Sequence, residues 1–259
     1  MTHRPLWIGT SFKMNKTRAQ SVAYATRLRS ELGGGVPGVR AFVIPPATAL
    51  AEVSLALEGA PVRTGVQNAH WADGGAWTGE LSVPQAADAG ARIVEIGHSE
   101  RRAHFAETDG TVRLKVGAVL RHGLTPLVCC GESAEVFARG GSVEHVLRQV
   151  EAAFAGLSGT RGDEGLGRAL IAYEPVWAIG EHGREPRPED VAPVHEALAA
   201  EWGDRVGGVL YGGSVTPGNA ADLLRVPGVG GLFVGRAAWD VEGFLELLRV
   251  GRRHAGAMA

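Results

Sequence analysis

Residues 170–180 read LIAYEPVWAIG, a short apolar run followed directly by a carboxylate and a loop that ends in glycine. The run, Leu170–Tyr173, is apolar at every position, unlike a strand with one face in water. Continuous runs of about four to eight apolar residues are typical of parallel strands covered on both faces. The stretch therefore predicts a buried parallel strand with Glu174 at its carboxyl end.

The same kind of run recurs along the whole chain. Outward from residue 170, eight runs alternate with amphipathic segments. They begin near Leu6, Arg40, Val62, Arg92, Pro126, Ala169, Val206 and Gly231. Two of the intervening segments, residues 143–157 and 191–202, have apolar residues at helical spacing, and Pro188 before the second suits a first helical turn.

Eight strand–helix units of about 32 residues each predict an α/β fold, a (β/α)8 barrel that forms a single domain over residues 1–259. A doubly wound open sheet shares this alternation and stays open as an alternative. The sequence contains no linker or break in composition that would indicate a second domain.

Composition excludes several classes of partner. The 259 residues are 45% hydrophobic and 21% charged, with a formal net charge of −2. So balanced a charge attracts neither nucleic acid nor an anionic membrane. We expect a cytoplasmic protein, because no apolar segment reaches the length of a signal peptide or membrane span. Cys129 and Cys130 are adjacent and lack metal-site spacing, so we expect no disulfide and no metal. We also expect no cofactor.

The loops that follow the strands carry the chemistry in such barrels. Lys13, His98 and Glu174 each follow a different apolar run. Together they would place a cation, an imidazole and a carboxylate over one mouth, a set that suits proton abstraction beside a carbonyl. Taken singly, each has an ordinary alternative: a surface lysine, a hydrogen-bonded core histidine and a glutamate at a turn.

Five segments make the pattern specific. They read KMN at residues 13–15, WTGE at 77–80, GHSERR at 97–102, AYEPVWAIG at 172–180 and YGGSV at 211–215. In this order they resemble the signature segments of the triosephosphate isomerase family, and the resemblance covers the chain from about residue 6 to 250. It implies a TIM barrel that isomerises a small sugar phosphate through an enediolate.

The resemblance also implies the roles of the catalytic residues. Glu174 would be the base that moves a proton between adjacent carbons, and His98 a neutral imidazole that polarises the carbonyl. A helix N-terminus beside His98 would disfavour its protonation. Lys13 would face the substrate oxygen and the phosphate, and Glu100 would pair with that lysine.

Main-chain N–H groups bind the phosphate in this family. The corresponding positions are Gly180, Gly213, Ser214 and Gly235, which in isolation would be ordinary turn residues. Residues 175–185 resemble the lid that closes over the intermediate.

Three further residues near these loops receive structural roles. Cys129 matches a family cysteine near the catalytic glutamate, and we expect it to pack rather than act as a nucleophile. Arg102 and Glu132 are candidates for structural ion pairs.

The third βα loop, about residues 67–80, is long for such a connection. In the family this loop reaches into a neighbouring subunit, where its threonine supports the partner's site. Here residues 71–80 carry Trp71, Trp77 and Thr78, and two exposed tryptophans would be an apolar liability on a monomer. We therefore expect a homodimer formed through this loop.

Four places depart from ordinary triosephosphate isomerase. Ser11 replaces an asparagine, Arg236 replaces the second glycine of the last phosphate loop, Trp77 replaces a phenylalanine, and residues 181–186 differ at the far hinge of the lid. These changes surround the substrate and leave the three chemical residues intact. They resemble the family branch that isomerises erythrulose phosphates.

The sequence therefore favours interconversion of L-erythrulose 1-phosphate and D-erythrulose 4-phosphate, with Ser11 and Arg236 as substrate-binding residues. One alternative is triosephosphate isomerase proper, a glycolytic enzyme acting on glyceraldehyde 3-phosphate and dihydroxyacetone phosphate. Another is a barrel that binds phosphorylated sugars without turnover, against which intact Lys13, His98 and Glu174 argue.

Overall fold

Eight parallel strands form a closed barrel in the structure, a computed structural model that describes residues 4–157, 165–179 and 183–257. The strands are β1 (Leu6–Ser11), β2 (Val39–Ile44), β3 (Val62–Val66), β4 (Ile93–Ile96), β5 (Thr125–Cys130), β6 (Leu170–Tyr173), β7 (Gly208–Tyr211) and β8 (Gly231–Val234). Each strand pairs with the next, and β8 pairs with β1. The closed ring confirms the predicted barrel and excludes the open sheet.

The described residues include ten α-helices, which surround the barrel. They are α1 (Arg18–Leu32), α2 (Leu50–Ala56), α3 (Val83–Asp88), α4 (Ser99–His104), α5 (Asp109–Arg121), α6 (Ala134–Ala138), α7 (Ser142–Phe154), α8 (Pro188–Trp202), α9 (Ala220–Leu224) and α10 (Val241–Ala257). Helices α7 and α8 lie in the two segments with predicted helical spacing. None of the described helices has the length and apolar character needed to cross a bilayer.

Local side chains define several of these helix starts. Thr17, Ser82 and Thr108 each accept a hydrogen bond from the backbone N–H three residues further on, and a side chain there bonds back to the cap. This reciprocal capping satisfies two of the backbone donors that a helix start leaves free. At α8 the first position is Pro188, which lacks an N–H and has a φ suited to a first turn.

Alternation along the strands divides their side chains between the barrel interior and the helical layer. The interior cluster is apolar and consists of Trp7, Phe42, Ile44, Ile93, Leu127, Cys129, Leu170, Ala172, Leu210 and Phe233. Sequence neighbours such as Ile8 and Val94 pack instead in the larger outer cluster. Continuing the alternation toward the strand ends places Ser11, Glu95 and Glu174 on the inner side, and all three line one pocket.

The third βα loop differs from the expectation of two exposed tryptophans. Trp77 is 49% exposed, whereas Trp71 is partly buried against the outer core. Both indoles stack on His70, at ring-centroid distances of 4.0 Å and 4.3 Å. The expectation was wrong for Trp71, because that ring stacks on His70 and packs against the outer core. Residues 73–80 are all exposed, so the loop projects into solvent with Thr78 on it.

Candidate active site

A cavity of about 350 Å³ opens at the carboxyl ends of the strands. Its lining includes eight of the predicted site residues: Ser11, Lys13, His98, Glu174, Gly213, Ser214, Gly235 and Arg236. Glu100 is outside this lining and accepts a hydrogen bond from the Lys13 ammonium. Gly180 lies outside the described residues. The closed barrel therefore brings residues from both ends of the chain around one space.

Lys13 follows β1 in a left-handed backbone conformation, with a φ of 51°. Such a φ is unfavourable for a residue with a side chain. The Gln67 side chain holds this turn by donating a hydrogen bond from Nε2 to the Lys13 carbonyl oxygen at 2.8 Å. The Lys13 ammonium lies 2.7 Å from Oε1 of Glu100, which is the predicted pair. Burial opposes ionisation of Glu100, but the bond from Lys13 holds the pKa of that carboxyl below its usual value.

His98 is joined to β4 by Gly97, and its side chain caps the start of α4. Its Nδ1 accepts a hydrogen bond from the backbone N–H of Glu100 at 3.1 Å. A neutral ring therefore carries its proton on Nε2. Burial and, second, the charge of Lys13 lower the pKa of His98 to about 4, so the imidazole is neutral at pH 7. The helix start that the resemblance implied is present beside it.

Glu174 follows β6 and is buried, with its side chain in the cavity lining. Its Oε2 lies 3.7 Å from Nε2 of His98 and has no hydrogen-bond partner among the described residues. Burial and, second, the negative charge of Glu95 raise the pKa of Glu174 to about 8. A carboxylate in so poorly solvated a place is a stronger base than one in water.

Close packing holds Glu174 in place. Its backbone N–H donates to the Cys130 carbonyl oxygen at 2.7 Å. A Cβ at Gly131 would overlap the Glu174 carbonyl oxygen, and a Cβ at Gly212 would lie 2.7 Å from its Cγ. Cys129 is buried in the barrel interior beside this carboxyl, and burial raises the pKa of its thiol well above the usual value. A protonated, buried thiol agrees with a packing role.

Gly213, Ser214, Gly235 and a short helix start form another part of the cavity lining, called here the glycine end. Gly213 and Ser214 follow β7, and a Cβ at Gly213 would overlap the Tyr211 hydroxyl. Gly235 follows β8 and precedes a single 3₁₀ turn, Arg236–Ala238, whose first N–H groups are free of helical partners. The Arg236 side chain lines the cavity and is exposed, and no described side chain pairs with it. Backbone donors and a free guanidinium suit a phosphate.

Of the two candidates for structural ion pairs, Arg102 forms one and Glu132 does not within the described residues. Arg102 pairs with Asp109 at 2.6 Å, as an ion-pair candidate should. The expectation for Glu132 is wrong within the described residues, because its Oε1 accepts hydrogen bonds from the Tyr173 hydroxyl at 3.1 Å and from Nε1 of Trp177 at 2.8 Å. Glu132 therefore anchors an indole at the base of the predicted lid.

Residues 175–179 and 183–185 are the described part of that predicted lid. The Arg184 guanidinium lies 4.9 Å from the centre of the Trp177 ring, and the Arg184 backbone N–H donates to the Trp177 carbonyl oxygen. The two sides of the segment are thus in contact. Among all described residues, no group of three His, Cys, Asp or Glu is placed to hold a metal ion.

The residue that sequence reasoning missed is Glu95. It lies within the apolar run of β4, yet its carboxyl lines the cavity and is 3% exposed. It lies inside an apolar run and not in a loop after a strand, where catalytic residues are expected. The available signal was the alternation along β4, which places the lone acid of that strand on the same side as Ile93.

Known proteins are similar to this chain over nearly its full length. The profile of the family described as triosephosphate isomerase matches residues 6–251. An L-erythrulose-1-phosphate isomerase of Mycolicibacterium smegmatis is 54% identical over 98% of this chain and 96% of its own length. Proteins of the same name from Mesorhizobium japonicum and Brucella abortus are 47% and 48% identical, each over 93% of this chain and 95% and 94% of their own lengths.

A solved structure has the same architecture. The crystal structure of triosephosphate isomerase from Bartonella henselae is 33% identical to this chain in sequence, with a TM-score of 0.81. The match covers 95% of this chain and 99% of that one. The described barrel is thus similar to this structure as a whole.

Proposed function

The chain belongs to the triosephosphate isomerase family of sugar-phosphate isomerases, and we propose that it interconverts L-erythrulose 1-phosphate and D-erythrulose 4-phosphate. The observation that carries the proposal is one cavity that holds a buried carboxyl group, a neutral imidazole and an ammonium group. Relatives at 47–54% identity that bear the tetrulose phosphate name support this substrate over the triose.

The chemistry requires one proton to move between adjacent carbons. The Glu174 carboxylate takes the proton from the carbinol carbon, and the electrons of that C–H bond form the double bond of an enediolate. Nε2–H of His98 and the Lys13 ammonium stabilise the negative charge that develops on the carbonyl oxygen. Glu174 then returns the proton to the former carbonyl carbon, and the hydroxyl proton passes between the two oxygens beside His98. The ketone has moved by one carbon.

We place the phosphate at the glycine end of the cavity. Backbone N–H groups of Gly213, Ser214 and Gly235 would receive it, and Arg236 would add a charge-assisted contact. Gly180 is proposed for the same role on the basis of the family pattern. No cofactor or metal is needed, because the base and the electrophile are protein groups. We place the protein in the cytoplasm, where small sugar phosphates occur.

The two candidate substrates differ by one hydroxymethyl group on the carbon that loses its proton. Dihydroxyacetone phosphate has hydrogen at that position, and L-erythrulose 1-phosphate has the additional carbon and hydroxyl. Ser11 lies in the cavity lining and is smaller than the asparagine of ordinary triosephosphate isomerase. The exchange leaves space for the larger substrate.

We expect the wild-type protein to prefer L-erythrulose 1-phosphate, with residual activity on dihydroxyacetone phosphate. Ser11→Asn should shift the ratio of kcat/KM toward the triose by roughly 10–200-fold, the discrimination that pocket volume alone gives for about one carbon. Steady-state assays of both proteins on both substrates measure this ratio. Wild-type protein that turns over the triose efficiently and ignores the tetrulose phosphate would establish the glycolytic alternative instead.

We also propose a homodimer through residues 71–80. The loop is exposed throughout residues 73–80, with Thr78 among them, and Trp77 is 49% exposed. Met14 is 98% exposed beside Lys13, whose carbonyl oxygen is bonded to the base of the same loop at Gln67. Two exposed apolar side chains on βα loops that are bonded to each other are typical of an interface.

Sedimentation should therefore give twice the chain mass at micromolar concentration. Thr78→Asp should shift the protein toward monomer, because each copy of a two-fold interface would bury a new charge. Leu55→Lys is the matched control, since Leu55 is an exposed apolar side chain on α2 and its change should leave the mass unaltered. A fully active wild-type monomer would contradict the proposal.

A further inference from the structure

Glu95 is a carboxyl group in a place where barrels carry apolar side chains. Barrel interiors are filled by layers of mainly branched apolar residues, and Ile93 follows that rule two positions earlier on β4. Glu95 faces the same interior and is 3% exposed. Burial of a carboxyl without full hydrogen bonding is costly. A residue that breaks the local rule at such a cost indicates a functional constraint.

The surroundings of Glu95 leave its polar atoms available. The Ser11 hydroxyl lies next to the Glu95 carboxyl and favours its ionised form, although burial dominates and raises the pKa of Glu95 to about 7. Neither Oγ of Ser11 nor Oε2 of Glu95 forms a hydrogen bond of ordinary geometry within the described residues. Both line the same cavity. Two adjacent buried polar groups therefore line the substrate space, and their hydrogen bonding is incomplete.

Their position relative to the base locates the part of the substrate that they would meet. Glu95 lies close to Glu174, because after burial its charge is the second cause of the raised pKa of Glu174. The charge of Lys13 in turn lowers the pKa of Glu95. The carbon that reacts must lie beside Glu174. A substituent on this carbon that extends into the barrel would reach Ser11 and Glu95, which line the cavity from the inner side of β1 and β4.

We propose that Glu95, together with Ser11, binds the terminal hydroxymethyl group of the tetrulose phosphate and is the specificity-determining residue of this pocket. This inference rests on the proposed function. The hydroxyl would donate a hydrogen bond to the Glu95 carboxylate and accept one from Ser11. Dihydroxyacetone phosphate lacks this hydroxyl, so it would leave both polar groups unpaired. Unpaired buried polar groups discriminate between substrates more strongly than pocket volume does.

A second role for Glu95 is purely electrostatic and makes a different prediction. Its negative charge raises the pKa of Glu174, so it could strengthen the base without touching the substrate. Removal of Glu95 would then change the reaction of both substrates by the same factor, because both use the same base. The ratio of the two kcat/KM values separates the roles.

The test compares Glu95→Leu and Glu95→Gln with wild type on L-erythrulose 1-phosphate and dihydroxyacetone phosphate. Leu should lower the tetrulose-to-triose ratio of kcat/KM by roughly 10- to 150-fold, the loss expected for a hydrogen bond to a charged group. Gln keeps an acceptor at the same distance and should restore most of the ratio. Glu107→Gln is the matched control, because Glu107 is a buried carboxyl paired with Arg101 and Lys115 outside the cavity lining, and it should leave the ratio unchanged.

Thermal unfolding monitors the fold of each variant. Glu95→Leu should be at least as stable as wild type at pH 8, because it removes a buried carboxyl that lacks partners. An unchanged ratio, or equal losses on both substrates, in a folded variant overturns the inference while the proposed function stands. A wild-type enzyme without activity on the tetrulose phosphate is a separate result that overturns the proposed function. If Glu95→Leu proves unstable, Glu95→Ala, which also removes the acceptor, takes its place in the comparison with Glu95→Gln.

Discussion

Replacing Glu174 with Gln is expected to lower kcat on L-erythrulose 1-phosphate by roughly 10²–10⁴-fold, the contribution of a positioned general base. The carboxyl is buried in the cavity and has a free Oε2, and no other carboxylate in the described lining lies beside Nε2 of His98. Glutamine keeps the size of the side chain and removes its capacity to accept a proton. Steady-state kinetics measure the loss, and retention of more than a tenth of kcat would remove Glu174 from the mechanism.

The same variant should not lose stability. Burial raises the pKa of Glu174 from 4.5 to about 8, so the folded chain holds a proton that the unfolded chain releases between these values. The free energy of unfolding therefore falls as pH rises through this window. Glu174→Gln lacks this dependence and should match wild type near pH 5 and exceed its Tm at pH 9. Loss of activity with an unchanged or raised Tm separates chemistry from folding.

The pH profile gives a further signature of the base. In the free enzyme kcat/KM should rise with pH as Glu174 loses its proton near pH 8. Ionisation of Glu95, whose pKa is about 7, should contribute to the lower part of the rise with the tetrulose phosphate. The pKa of His98, about 4, lies below this window and should not contribute. Glu174→Asp, which keeps a carboxylate on a shorter side chain, should retain part of the activity and the rising limb. A flat profile for wild type would contradict the assignment.

Much of the barrel follows from local sequence. The apolar runs predicted the strands because parallel strands buried on both faces need no alternation, and the largest difference in starting point is at β7, which begins at Gly208 rather than Val206. The pair between Lys13 and Glu100 was also predicted, but through the family resemblance. Spacing alone does not indicate that residues so far apart in sequence meet at 2.7 Å.

The structure differs from the sequence-based predictions at residues whose contacts are set by neighbours distant in sequence. The partners of Glu132 are a hydroxyl and an indole, which charge counting does not predict. Trp71 is covered because His70 stacks on it, a contact set by the path of the loop. Glu95 was missed because a single acidic residue within an apolar run does not by itself indicate a site. Only the closed barrel shows that its side chain faces the interior. These contacts join residues that meet only when the barrel closes, so a local sequence pattern gives little information about them.

Lys13→Met should lower kcat by roughly 10²–10³-fold, the usual effect of removing one group that stabilises a developing oxyanion, and should raise KM as well. Methionine preserves most of the volume of the side chain and removes the charge. We expect Arg236 not to replace it, because Arg236 follows β8 and its exposed guanidinium is proposed to bind the phosphate. The loss should therefore appear with both substrates, unlike that of Glu95→Leu.

Two further readouts distinguish this role from a structural one. The charge of Lys13 is the second cause, after burial, of the low pKa of His98, so the variant should raise that pKa from about 4 toward its ordinary value. An NMR titration of the His98 ring measures this shift. Lys13→Arg keeps the charge but presents a planar fork instead of a compact ammonium, and should recover only part of kcat. A folded Lys13→Met protein with less than a tenfold loss of kcat/KM and an unshifted His98 would contradict the assignment, because a cation beside both the imidazole and the substrate must influence both.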